Sequence, residues 1–516
     1  MNEIQNQNST MGSSLRCAAL LFAAAVMMAL PPQSIFAQSG GIPRRPEQLK
    51  YPPLTYEPPS AADYRKPLAA GPVAYIVPNH ELPLVNIVVY VHVGSYLDPS
   101  GKEGLAGLTG SLLAHSGIKS KDADALDERV AFLAAQLDAS IGDTQGTVSL
   151  NLLSKDLDEG LSILREVLTE PRFQEDRLAL HKEQALQEMK QRNDDSEAIE
   201  GREAGFLAFG ENFWANHYPT AASLASITRD DLQAFHRKWF HPDNFVVSVS
   251  GDFDRADMKA RLEKLFADWP FTGEKPTAIP TNTTFAAPGV YLVDKDVNQG
   301  RVSIMLPGIM RDNPDSMDVL IMNDILGGGG FTSHIMNSVR TEEGLAYSAY
   351  STFRGGVYYP LTFTAAYQSK SRTVAYAASI VMAEIKKMTE APPNDKELAI
   401  SKHGIIDSFP HNFATKTAVA NILAQEEFTG RYATNPQFWH DFRSRIQAVT
   451  REDVLRVARK YLTPDKAVIL IVGKVSEIEM KLPEHPVTLQ ELTSGKITEL
   501  PLRDPETMKP MPLTEK

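Results

Sequence analysis

Cysteine is almost missing from this chain: the single one, Cys17, lies near the N-terminus. No disulfide can form within residues 38–516 and no thiol nucleophile exists there, so the fold must rest on packing. The 12 histidines are scattered, with no Cys/His cluster of the kind that builds a structural zinc site. A Lys/Arg-rich stripe is lacking too. The net charge of −12 is spread along the chain, which argues against nucleic acid and weakly favours basic partners or peptides. Long apolar runs are equally scarce. One of note, Cys17 to Leu30, follows Arg16 and precedes a Pro/Gln/Ser break and Ile35-Phe36-Ala37. That run is too short for a comfortable membrane span. It reads as a secretory signal peptide over 1–37, cleaved after Ala37, with an uncleaved anchor as the alternative. Cys17 lies at the start of the apolar run, unlike a lipid-attachment cysteine. Export without cysteines suits a bacterial periplasm, with no membrane span left after cleavage.

What the chain has is length, a 43% hydrophobic content and an internal repeat. These suffice for two or more cored domains. Thr228 to Gly251 aligns without gaps to Thr450 to Gly473, at a constant offset of 222 residues. Each copy has a threonine helix cap, acids in the first turn, a Pro-Asp turn and a β-branched strand ending in glycine. The spacing predicts a duplicated domain, with the copies at 67–269 and 289–478. A Pro-rich extended arm (38–66), a Pro/Thr-rich linker (270–288) and a Pro- and charge-rich tail (479–516) complete the plan. The tail is expected to be disordered or to strap across a partner. Val73–Val77 and Leu84–Gly94 read as a hairpin, as do Gly289–Val293 and Gly300–Gly308. Helices are expected over 123–137, 155–168 and 174–193, and a strand over 143–153. Strands mixed with helices in this way predict an α+β fold, each domain a mainly antiparallel sheet covered on one face by helices.

The most distinctive string is Ile325 to Phe353. Gly327, Gly328, Gly329 and Gly330 permit sharp turns and close backbone approach. A helical run carrying Arg340 follows, then Gly344 and an alternating segment that opens at Tyr347. This string resembles the second half of pitrilysin-type (insulinase, M16) zinc peptidases, in which an arginine and a tyrosine at this spacing help hold an extended substrate peptide. The resemblance implies two homologous LuxS/MPP-like domains forming half of a clamshell, with Arg340, Tyr347 and the glycine loop as substrate-binding residues. From the residues alone, the alternative is that Arg340 caps its helix or pairs with Glu342 or Glu343, and that Tyr347 is half-buried in a strand. His334, beside the loop, reads as a polar helix-face residue.

Active members of that family carry His-x-x-Glu-His on a helix, two imidazoles for zinc and a carboxylate for the bound water. The matching stretch here, Gly104 to Leu113, puts Gly107 and Ser111 at the histidine positions and Gly110 at the glutamate position. No such motif, in either order, occurs elsewhere in the chain. Counting 77 residues on from Ser111 reaches Glu188, the family's third-ligand position, with His181 seven residues before it. Glu188 is either a solvated surface charge or, with His181 and His115, part of a rebuilt metal site. Asn216 to Pro219 resembles a wall-forming segment and is assigned no chemistry. The resemblance therefore implies a chain that is not an enzyme alone and holds no cofactor. It would bind peptides for a catalytic, zinc-bearing M16-type partner. A self-sufficient metallopeptidase and a scaffolding subunit remain as alternatives.

Overall fold

The computed structural model describes residues 55–480 and 482–513, together with Arg45 and Leu49. The expected signal peptide and most of the arm lie outside the described residues. Residues 56–516 belong to one compact unit, built around two six-stranded sheets.

The first sheet holds β1 (Arg65–Pro67), β2 (Val73–Pro78), β3 (Leu84–Val91), β4 (Gln136–Ile141), β5 (Gly146–Leu153) and β6 (Phe245–Gly251). The second holds β7 (Gly289–Asp294), β8 (Gln299–Pro307), β9 (Ala346–Phe353), β10 (Thr362–Lys370), β11 (Val468–Gly473) and β12 (Lys496–Leu500). Their orders, β1-β2-β6-β3-β5-β4 and β12-β7-β11-β8-β10-β9, repeat one plan in five strands; the sixth differs, β1 being antiparallel to β2 and β12 parallel to β7. The duplicated segments end in β6 and β11, whose residues are all buried. Thr228 and Thr450 cap their helices through matching boxes with Asp231 and Asp453.

The expected hairpins are not formed. β6 lies between β2 and β3, parallel to β2, and β11 lies between β7 and β8, parallel to β7. A run such as Phe245 to Val249, apolar but for Ser248, is stable only with neighbours on both sides, so it takes the centre. The helix expected over 123–137 stops at Phe132, and the chain turns into the edge strand β4.

Both faces of each sheet are covered, not one. Lys416–Phe428, from the second half, packs Val419, Ala420 and Leu423 on Tyr75, Val77, Tyr90 and Val246 of the first sheet. Reciprocally, Ser196–Phe209 sets Ile199 and Leu207 on Val293, Met305, Leu470 and Val472 of the second. Polar pairs fix the register: Ser248 Oγ donates to Asn421 Oδ1 (2.6 Å) and Ser303 Oγ to Glu200 Oε1 (2.7 Å). Arg65 forks onto Glu427 at 2.8 and 2.9 Å, and the Tyr75 hydroxyl donates to the same carboxylate at 2.9 Å.

The tail is ordered on its own chain. β12 adds parallel to β7, and residues beyond it dock on the first half. The linker also runs along the first half, with Thr284 N donating to Phe209 O and Ala286 N to Leu207 O.

Candidate functional site

The degenerate motif lies on α1 (Leu105–Leu113), the helix in front of β4. Its start is held by Asp98, whose carboxylate accepts from Gly104 N and Ala106 N, both at 2.8 Å. Negative charge suits a helix N-terminus, yet burial pushes the Asp98 pKa up to about 6. Gly107 and Ser111, one turn apart, face a cavity of about 470 Å³. His181 and Glu188, two turns apart on α2 (Glu175–Lys190), line the same cavity with Arg192 and Pro219. The structure thus brings Gly107, Ser111, His181 and Glu188 to one place.

The two glycines differ sharply in their surroundings. A Cβ on Gly107 would meet nothing within 4 Å. A Cβ on Gly110 would lie 2.3 Å from Ile141 N and 2.8 Å from Ser140 C, both backbone atoms of β4. Position 110 is therefore built over. No side chain fits there without parting helix from strand.

His115 does not join the cavity wall; its ring sits 4.0 Å from Asp127. It is near enough to disfavour charge on His181, whose pKa is lowered chiefly by burial. Among the described residues no three His, Cys, Asp or Glu side chains converge to hold a metal. Zinc requires imidazole, thiolate or carboxylate donors, and glycine, glycine and serine supply none. The donor set at the motif does not fit zinc.

The second cluster surrounds Arg340. The chain passes through a wide π turn, Asp324–Gly328, then Gly330 at φ +61°, then a second π turn, Asn337–Glu342. Such turns are rare and concentrate at functional sites. Gly327 is a packing requirement within this chain, since a Cβ there would lie 2.5 Å from Ser351 N of β9. Gly328 and Gly330 are exposed, and Gly329 is partly so. His334 is tied down by Glu397 at 2.9 Å and Glu384 at 3.8 Å, a structural role as expected.

Arg340 makes no ion pair with Glu342 or Glu343 among the described residues. Its guanidinium instead sits between two rings, 4.8 Å from Phe331 and 4.6 Å from Tyr347. Both rings are open to solvent, Phe331 67% and Tyr347 84% exposed. Held against two aromatic rings, with no side-chain hydrogen bond to Arg340 among the described residues, the guanidinium keeps its donors for planar oxygen acceptors. Tyr347 is the second residue of the edge strand β9, where a bulge lies between the pairs Ala349–Tyr367 and Ala346–Ser369. The extra residue turns both Tyr347 and Ser348 outward. β9 is also the edge strand of its sheet, with its Ser351 carbonyl taken by Asn323 Nδ2. The sequence reading missed Phe331; an aromatic placed directly after four glycines was the available signal.

Comparison with known proteins bears on both clusters. Residues 75–203 match the family model described as "Insulinase (Peptidase family M16)", and residues 226–405 match "Peptidase M16 inactive domain". A protein of Helicobacter pylori named "Non-peptidase homolog YmxG" is 27% identical over 345 residues, covering 66% of this chain and 78% of that one. An "Uncharacterized zinc protease" of Rickettsia bellii is 23% identical over 316 residues, covering 60% and 75%. The crystal structure of a peptidase M16 inactive domain from Pseudomonas fluorescens superimposes with a TM-score of 0.71 at 26% identity, covering 79% of this chain and 97% of that one.

Proposed function

The chain belongs to peptidase family M16 as a non-catalytic member, and from that premise we propose that it is an exported subunit that binds and orients peptide for a zinc-bearing M16-type partner. The observation that carries this reading is the Phe331–Arg340–Tyr347 stack beside the β9 edge. A cation held against two rings, with no ion pair among the described residues, is suited to grip a peptide carbonyl or a developing oxyanion. An open edge strand with an outward bulge suits an extended peptide, which adds as a further strand. The zinc and its activated water are supplied by the partner, because α1 offers no donors. A periplasmic location follows from the signal-like N-terminus; the mature chain then begins at Gln38.

The test is hydrolysis of peptide by the heteromer formed with a zinc-bearing M16 chain. Arg340→Ala lowers the rate by about 10- to 1000-fold, the scale of a lost transition-state donor. Tyr347→Phe keeps the ring over Arg340 and removes only the hydroxyl, so it separates stacking from hydrogen bonding. If Arg340→Ala leaves a correctly assembled heteromer fully active, the scaffolding reading replaces this one.

A further inference from the structure

Beyond β12 the chain folds into a small hairpin. Met511 N donates to Leu502 O, Asp504 N to Lys509 O and Met508 N to Asp504 O, each at 2.8 Å. The hairpin rests on the first half of the molecule. Arg192 Nη1 donates to Pro505 O (2.9 Å), Asn193 Nδ2 to Arg503 O (2.7 Å) and Ala221 N to Glu506 O (2.8 Å). One side chain enters the first half. The Arg503 guanidinium lies 3.9 Å over the Phe206 ring, with Nε 3.3 Å from Glu203 Oε1, and both terminal nitrogens fork onto Glu211. Arg503 Nη1 also reaches Met508 O at 3.4 Å.

The receptor is assembled without the tail. Glu203 is 2% exposed and contacts Arg202 at 3.4 Å. Arg202 is itself fixed by Asn193 Oδ1 (2.8 Å) and Arg192 O (3.2 Å). From this pocket a cavity of about 650 Å³ continues between Tyr96, Trp214, Tyr218 and Asp98. The docked segment, by contrast, brings one apolar contact, Leu502, partly buried against the cluster around Ile199 and Leu207. Among residues 493–513 Arg503 is the one buried side chain. Apart from Leu502, the segment's attachment rests on hydrogen bonds and charge pairs worth about 0.5–1.5 kcal/mol net apiece. Segments held in this way sit at the low end of local stability.

We propose that Phe206, Glu203 and Glu211 form a binding pocket for a peptide arginine side chain, which the chain's own tail fills as an exchangeable plug. An aromatic face, the buried Glu203 carboxylate and the exposed Glu211 carboxylate match the flat, forked guanidinium and do not match the point charge of lysine. The tether gives the plug an effective concentration on the millimolar scale, so a competing arginine binds only when the plug is weakened or outcompeted. This pocket lies on the first half and owes nothing to the Arg340 cluster.

The experiment uses the full mature chain and its Arg503→Ala variant, titrated calorimetrically with N-acetyl-arginine amide and, as control, N-acetyl-lysine amide. The variant is expected to bind the arginine probe saturably and at least tenfold more tightly than the lysine probe. The parent chain and the double variant Arg503→Ala/Glu211→Gln are expected to bind it at least tenfold more weakly. Absence of binding to the folded variant, or equal binding to parent and variant, overturns the proposal. So does loss of cooperative melting in Arg503→Ala, because an exchangeable plug is dispensable for folding. Hydrogen exchange on the parent chain gives an independent check. Residues 502–511 must exchange faster than β6 and β11, and equal protection would make the hairpin a fixed part of the core.

Discussion

Replacing Gly110 with alanine asks whether the metal motif merely lacks its donors or has been built over. The added Cβ would lie 2.3 Å from Ile141 N, against an ordinary nonbonded separation of about 3.5 Å. Helix and strand must then part by about 1 Å. Because the opposing atoms are backbone, no rotamer change relieves the contact, and the cost falls near the upper end of overpacking, about 3 kcal/mol. Helix propensity returns about 1 kcal/mol for Gly→Ala, leaving a net loss of about 2 kcal/mol. Gly107→Ala is the matched control. It has nothing within 4 Å of its Cβ, so it keeps the propensity gain of up to about 1 kcal/mol. The two variants should differ by about 3 kcal/mol, or about 6–12 °C in Tm for domains of this size. Thermal scans at one fixed rate measure the difference. If the two alanines shift Tm in the same direction and by the same amount, the close approach of β4 does not govern position 110.

Three further outcomes follow from the same geometry. Gly107→His/Ser111→His should gain about one zinc per chain with Glu188 as a further ligand, read by elemental analysis and abolished by Glu188→Gln. It should remain without peptidase activity, since no carboxylate fits at 110; zinc bound by the unmodified chain would contradict the donor reading. Burial lowers the pKa of His92 to about 4 and of His236 to about 3, below an unfolded value of about 6.5. At these two positions the unfolded chain binds more protons, so their share of the stability is intact above pH 6.5 and falls as pH drops towards 4, by about 1.4 kcal/mol per pH unit for each histidine. Asp98, raised to about 6, acts in the opposite sense below pH 6. His92 stacks on Phe428 at 4.0 Å, so His92→Phe should keep the packing and remove about 1.4 kcal/mol per pH unit from the slope; an unchanged slope would refute the assignment. Finally, Glu427→Ala strands Arg65 and the fully buried Tyr75 and should lower stability by about 2–4 kcal/mol in denaturant unfolding. A loss below about 1 kcal/mol would show that the two halves do not depend on this pair.

Much of the architecture was written locally. Thr228 and Thr450 cap their helices because the bonds they make reach only three residues ahead, and the sequence displays such neighbours directly. The absent donors at Gly107, Gly110 and Ser111 needed no coordinates either, nor did the pairing of Arg340 with Tyr347 seven residues later. The family and the two-domain α+β plan followed from these. Strand order was not legible. Placing β6 between β2 and β3 depends on a partner more than 150 residues away, and no local signal ranks that pairing above a hairpin.

The sequence by itself determined that the chain is a duplicated M16-type unit without its zinc donors. Tertiary structure alone decided why one of those positions is closed: Gly110 faces a backbone that arrives from β4. It also decided that Phe331 completes the Arg340 stack across a glycine loop, and that a Pro-rich tail turns back to bury Arg503 against Phe206 and Glu203. In each case the deciding contact joins residues distant in the chain. Composition and periodicity report what each segment can bury or bond, and only the assembled fold supplies the surface that meets it.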